Sequence, residues 1–348
     1  MLIFRVEVCQ VKLSERKQAI LAAIVEIYIR TGEPVGSKLL AGKLGFNVSP
    51  ATVRSDMAWL FEMGYLEQPH TSAGRVPSHL GYREYIDSLM HPASLTPQER
   101  SEIDSLFNVH NPDPDKLLED AAEALSDYTK CATVTSSITP KTVRIRRLEL
   151  IEAGSNTVVI LLIASNGMIR SKIFRVDFLV NGKVVDFFNK FANSRLSGMS
   201  IDEVSSAYLG AMSVNLGEYS RIFNPILSAI FELCKEVADG QYYVSGSAKL
   251  LEYNQMGVRE LLMLLESRES LQSLFCADDF KIVIGKENQS MELSDYAVVM
   301  TGYEVDGMPA GTVGLIGPVR IDYAKLIPHL EYFARTLGDL LTETLTMD

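Results

Sequence analysis

The stretch that most constrains this chain is Ser49-Pro50-Ala51-Thr52-Val53-Arg54-Ser55-Asp56, because it fixes both where a helix begins and what that helix shows to its surroundings. The Ser49 hydroxyl can accept an otherwise orphaned backbone N–H, and Pro50 brings a preset φ with no N–H of its own, so a helix starts there. Val53, Met57, Leu60 and Phe61 then gather on one side of a 3.6-residue spiral, leaving Ala51, Thr52 and Ser55 on the other. A surface helix usually carries Glu and Lys on its outer side. Here the first turn is small, hydroxylated and flanked by Arg54, which suits entry into a groove with contacts to base edges and phosphates.

What surrounds the helix supports this. Gly64 stops it, Tyr65-Leu66-Glu67 reads as a short strand, and Pro69 to Arg75 forms a polar tip before Val76-Pro77. That order is that of a winged helix-turn-helix, in which the loop runs along the phosphate backbone, although three short helices and a hairpin also occur in interaction modules that never touch DNA. Upstream, Ser14 caps a first helix with Ile20, Ile24, Ile27 and Tyr28 on its buried stripe and Gly32 at its end; Val35 reads as a minimal strand. Ser37 is expected to cap a second helix, Lys38 to Leu44, closed by Gly45, with Leu39, Leu40 and Leu44 toward the third helix. The expected DNA contacts are Thr52, Arg54 and Ser55 at bases, Ser37, Lys38 and Ser49 at phosphates, and His70, Thr71, Ser72 and Arg75 along the wing. Asp56 and Glu62 would repel phosphates and are expected to pair with neighbours such as Lys43, while Trp59 reads as a packing residue.

Charge agrees with the placement. The chain carries −11 overall, but Lys12 to Met90 holds 9 basic and 8 acidic residues, so the acidic excess belongs to the remainder. No apolar run is long enough for a membrane span, and Met1 to Val11 does not read as a signal peptide. Cys9, Cys131, Cys234 and Cys276 lie far apart without a metal-ligand spacing, which favours a reduced cytoplasmic setting and no metal or cofactor. Gly311 to Gly317 is glycine-rich but reads as a strand with close backbone packing, not a phosphate loop, and no nucleophile and base form a recognisable signature; an enzyme is not expected.

At 348 residues the chain exceeds what one core usually covers. Helices are expected at His79 to Met90, Thr96 to Phe107 and Lys116 to Lys130, making 91–130 a helical linker between the DNA module and the body. Strands follow at Ala132 to Ser137, Arg146 to Ile151, Thr157 to Ala164 and Ile169 to Val176, with Asn166-Gly167 turning between the last two. They resume at Lys281 to Ile284, Tyr296 to Tyr303 and Thr312 to Ile316, before a terminal helix, Leu326 to Leu345. The pattern suggests one α/β domain, 131–181 and 268–348, interrupted by a helical insert, 182–267. Tyr219, Phe223, Ile226, Leu227, Ile230 and Phe231 in that insert are candidates for a dimer contact or, equally, for the lobe's own core.

Ser49 to Arg54 with Met57, Leu60 and Gly64-Tyr65-Leu66, then Pro69-His70-Thr71-Ser72-Ala73-Gly74-Arg75-Val76-Pro77 and Gly81-Tyr82-Arg83, resembles the heat-inducible transcription repressor HrcA family of bacteria. The wing segment is longer and more particular than a general winged-helix pattern. The resemblance implies a multidomain α+β protein: a winged helix-turn-helix at 1–90, and a GAF-like α/β domain interrupted by an inserted dimerisation domain. It further implies a homodimer that represses chaperone operons at an inverted-repeat operator (the CIRCE element), with a chaperonin supporting its active fold. The alternative is a one-component regulator sensing a small molecule through its GAF-like domain.

Overall fold

The computed structural model describes residues 13–70, 73–107, 113–137, 143–165, 168–214, 216–253, 257–275, 280–288 and 293–346. In α1 (Glu15–Thr31), Ile20, Leu21, Ile24, Val25 and Ile27 are buried, and Gly32 closes the helix at φ 69°, its N–H bonded to the Tyr28 carbonyl. Ser14 occupies the N-cap without the expected side-chain bond. α2 (Ser37–Ala41) is shorter than expected: Gly36 is its N-cap, Ser37 lies inside it, and Gly42 ends it before Leu44. Glycine at both ends leaves room for little more than one turn. α3 (Pro50–Glu62) begins as expected, with the Ser49 side chain accepting the Thr52 N–H. β1 (Leu66–Glu67) and β2 (Val76–Pro77) pair antiparallel, and Val35 bridges Arg75 beside them. α4 (His79–Glu84), capped by the Ser78 side chain, runs on into a π-helical turn, Tyr85–Leu89.

Next come α5 (Pro97–Leu106), opened by a Thr96/Glu99 capping box, and α6 (Pro114–Thr129). The expected linker at 91–130 does not hold the module away from the body. α6 lies on the main sheet, with Leu117, Leu118, Ala121 and Leu125 buried, and the hydroxyls of Thr133 and Thr135 donate to its Ala122 and Leu118 carbonyls. So wide an apolar stripe needs a covering surface, and the sheet that follows in sequence supplies it. The N-terminal module docks directly too: its buried residues join one hydrophobic cluster with α6, the sheet and the last helix, and Tyr82 packs near Tyr323, ring centroids 6.1 Å apart.

β3 (Ala132–Ser137) leads into a second lobe of β4 (Ile145–Gly154), β5 (Thr157–Ala164), β6 (Ile169–Arg175), α7 (Gly182–Leu196), α8 (Ser206–Val214) and α9 (Ser220–Ala238). The chain returns as β7 (Gln241–Ser245), then α10 (Val258–Glu266), α11 (Arg268–Leu274), β8 (Lys281–Ile284), β9 (Tyr296–Val305), β10 (Met308–Pro318) and α12 (Tyr323–Thr346). The main sheet runs β7-β3-β10-β9-β8, all antiparallel. Alternate residues of β9 divide its faces: Ala297, Val299 and Tyr303 meet α6 and α12, while Val298 and Met300 meet α10 and α11.

Two expectations fail here. The strands at 145–175 form their own three-stranded sheet, β4-β5-β6, and β7, placed within the insert by its sequence, belongs to the main sheet. Ser137 pairs with Gln241, so the chain leaves and re-enters the main sheet at neighbouring positions, and the lobe between them is mixed rather than helical. A strand's own residues specify its faces but not which sheet it joins. The backbone edge of β4 is closed by side chains: Asn193 and Asn189 exchange amide bonds with Leu148 and Leu150 at 2.6 to 3.1 Å. β6 is the other edge. The glycine-rich stretch is a strand as read: a Cβ at Gly314 would lie 2.2 Å from the Phe275 ring, and one at Gly311 1.9 Å from the Ser136 carbonyl oxygen. The turn at Asn166-Gly167 lies outside the described residues.

Candidate nucleic-acid interface

α3 buries Val53, Met57 and Leu60 and exposes Ala51, Arg54, Ser55 and Ala58. Thr52 is half-buried, its hydroxyl 2.9 Å from that of Ser49. Phe61 departs from the expected stripe: it is 42% exposed, with the Arg75 guanidinium 4.7 Å above its ring. One position beyond Leu60 carries it about 100° round the helix, past the edge of the buried face. Asp56 is buried and pairs with Arg16 of α1 rather than Lys43, at 2.7 Å from Nε and 3.1 Å from Nη2. That hydrogen bond raises the Arg16 pKa. The two-pronged contact fixes the rotation of α3 about its axis and therefore which residues face out. Trp59 is half-buried with the Lys17 ammonium 4.0 Å over its ring, a packing residue as read.

On the loop between β1 and β2, expected as the wing, His70 is exposed and its carbonyl accepts the Ala73 N–H at 2.9 Å; Thr71 and Ser72 lie outside the described residues. Gly74 passes so close to Val35 that a Cβ would sit 2.4 Å from its carbonyl oxygen, so no other residue fits without displacing the backbone. Arg75 exchanges backbone bonds with Val35 at 2.8 and 2.9 Å, and its guanidinium rests on Phe61 with a buried Nε that has no hydrogen-bond partner among the described residues. It therefore splints the loop between β1 and β2 to the end of α3 instead of standing free at its tip. In α2, Lys38 is exposed and Ser37 half-buried; Leu39, expected to pack, is 52% exposed, and Leu40 makes the buried contact.

In the second lobe the six dimer candidates separate. Phe223, Ile226, Leu227 and Ile230 are buried in the lobe's own core, Phe231 is half-buried, and Tyr219 is 55% exposed beside Phe187. Four of the six therefore have no face left for a partner. Sequence reasoning missed Arg16, whose carboxylate lies 40 residues away, and Arg83, which binds Glu287 across more than 200 residues; local pattern signals neither. Among the described residues no group of His, Cys, Asp and Glu could hold a metal ion, and no helix is long and apolar enough to cross a membrane. The Cys234 thiol is pushed up to about 12 by burial, in keeping with a packing role.

The family described as HrcA protein C-terminal domain matches residues 115–327. The heat-inducible transcription repressor HrcA of Clostridium botulinum (strain Alaska E43 / Type E3) is 35% identical over 336 residues, 94% of this chain and 98% of its own length. This chain belongs to the HrcA family. The repressor of the same name from Clostridium acetobutylicum is 35% identical over 327 residues, 91% of this chain and 94% of that one. A crystal structure described as that of a hypothetical protein superposes with a TM-score of 0.63 at 25% identity, covering 96% of this HrcA-family chain and all of that one (100%).

Proposed function

We propose that this chain represses transcription by binding an inverted-repeat operator as a homodimer, with the N-terminal module acting as a winged helix-turn-helix. The observation that carries the reading is the exposed Ala51, Arg54, Ser55 and Ala58 face on a helix whose rotation is locked by Asp56 and Arg16. Small residues let the helix sink into a major groove, and Arg54 supplies the cation. Ser37, Lys38 and Ser49 contact phosphates, and His70, Thr71, Ser72 and Arg75 follow the backbone from the wing. The antiparallel main sheet with its flanking helices is the GAF-like unit, and the second lobe is its inserted dimerisation domain. In favour of that lobe as the dimer contact, β6 is an edge strand whose Ile169 and Ile173 are 54% and 68% exposed, and Phe187 on α7 and Tyr219 just before α9 are exposed together. Heat relieves repression by depleting the paired, DNA-competent form, and a chaperonin replenishes it.

The deciding experiment is a gel-shift competition between an inverted-repeat duplex and a scrambled one at fixed salt, with warming in the absence of chaperonin. Preference for the inverted repeat, lost at the induction temperature, is expected; equal affinity for both duplexes sinks the operator reading. Arg75→Ala should weaken binding to every sequence and lower the salt slope by about one unit. An unchanged slope would leave Arg75 with its splinting role alone.

A further inference from the structure

Arg83, on α4, donates Nε–H to Glu287 Oε1 at 2.8 Å, Nη2–H to the Ile282 carbonyl at 2.8 Å, and a further Nη2 bond to Glu287 Oε2. Glu287 Oε2 also accepts the Ile284 N–H at 2.9 Å. One carboxylate thus ties the helix that follows the wing to β8, the edge of the main sheet. The turn Gly285–Glu287 is held from behind by Asn288, whose Nδ2 donates to the Gly285 carbonyl at 2.9 Å and the Leu293 carbonyl at 3.3 Å.

Ile282, Glu287 and Asn288 also line a cavity of about 600 Å³ between α10–α11 and the β8–β9 pair. That volume is in the range of small-molecule sites. Leu264, Leu274, Val298 and Met300 give it an apolar floor, and Lys281, Glu269 and Ser270 give it a rim of both charges. Glu269 stays anionic, its pKa lowered by hydrogen bonds from its own backbone N–H and the Ser267 hydroxyl. A fatty carboxylate would leave Glu269 without a counter-charge, and a simple amine would leave Lys281 without one. A zwitterion with an apolar side chain satisfies floor and rim together.

We propose that this cavity binds a small apolar α-amino acid and that its occupancy reaches the N-terminal module through Glu287 and Arg83. The carboxylate of the amino acid lies toward Lys281, its ammonium toward Glu269, and its side chain on the sheet. Binding shifts the 285–288 turn, and with it the Glu287 carboxylate that joins α4 to the end of β8.

Full-length protein is melted with L-leucine, L-methionine or L-phenylalanine, and separately with octanoate or octylamine. At least one amino acid should raise the melting temperature while octanoate and octylamine do not, and Ser273→Trp, which fills the cavity mouth from an exposed position, should abolish the shift. No shift from any of the three amino acids, or a shift that survives Ser273→Trp, overturns the site; an equal shift from octanoate or octylamine overturns the ligand class. Should Ser273→Trp melt low by itself, Lys281→Gln decides: loss of the amino-acid shift supports the site and full retention overturns it. The coupling rests on the operator-binding reading and is measured apart from the melts. The stabilising amino acid should change operator affinity about fivefold or more in the wild type and leave it unchanged in Glu287→Gln. No change in the wild type, or an equal change in Glu287→Gln, overturns the route, whereas absent operator binding with intact melting shifts overturns only the function proposed above.

Discussion

α3 and α9 pose the same question in sequence, what does the conspicuous face of this helix meet, and the structure answers it in opposite ways. The small polar face of α3 is exposed as read, whereas Phe223, Ile226, Leu227 and Ile230 of α9 are covered by the lobe's own sheet and helices. A polar, uncharged first turn has no use for a core, so desolvation keeps it outside while the Asp56–Arg16 contact and the buried stripe set the rotation. An apolar stripe says only that something covers it, and here the chain's own β5 and β6 do. The largest test of this contrast is Phe223→Ala, which removes a side chain that is 1% exposed and tilted against Phe188, centroids 5.0 Å apart. Urea unfolding should show a loss of about 3–5 kcal/mol. Unchanged unfolding with dissociated dimers would instead make α9 an interface and dissolve the contrast.

A smaller effect is expected where the polar helix is anchored. In Arg16→Ala the Asp56 carboxylate, only 7% exposed, loses its partner, while in Asp56→Ala the half-exposed Arg16 regains water. Arg16→Ala should therefore lower stability to urea more than Asp56→Ala does. Equal costs for the two substitutions would mean that the pair is no clamp, and that the orientation of α3 comes from Val53, Met57 and Leu60 alone.

What could be read from sequence divides along the same line. The Ser49-Pro50 start, the Gly32 end, the Thr96 helix start and most strand limits are local events, set by residues a few positions apart, and they stand where expected. Membership of a sheet is not local: nothing in Arg146 to Ile151 tells that this strand avoids β3, because the pairing of Ser137 with Gln241 decides it across a hundred residues. Separation along the chain, 40 residues for Asp56 and 204 for Arg83, hid their partners too. Arg75 was legible as a wing cation but not as the lid on Phe61, since its partner was assigned to the core.

The smallest change in stability belongs to Arg54→Ala, and it sharpens the comparison most. Arg54 is exposed on α3 and forms no ion pair or hydrogen bond with the described residues. Its removal trades one good helix former for another and should alter unfolding by no more than about 0.5 kcal/mol. In operator binding the same change deletes the only cation on the exposed face of α3, at a cost of about 1–3 kcal/mol if it meets a base edge and less if it meets a phosphate. The two cases separate by sequence dependence: a base contact relaxes discrimination at one operator position, a phosphate contact weakens all duplexes alike. A residue that matters to neither folding nor binding would mean that the exposed face of α3 is merely solvated, and α3 would then teach no more about function than the buried stripe of α9.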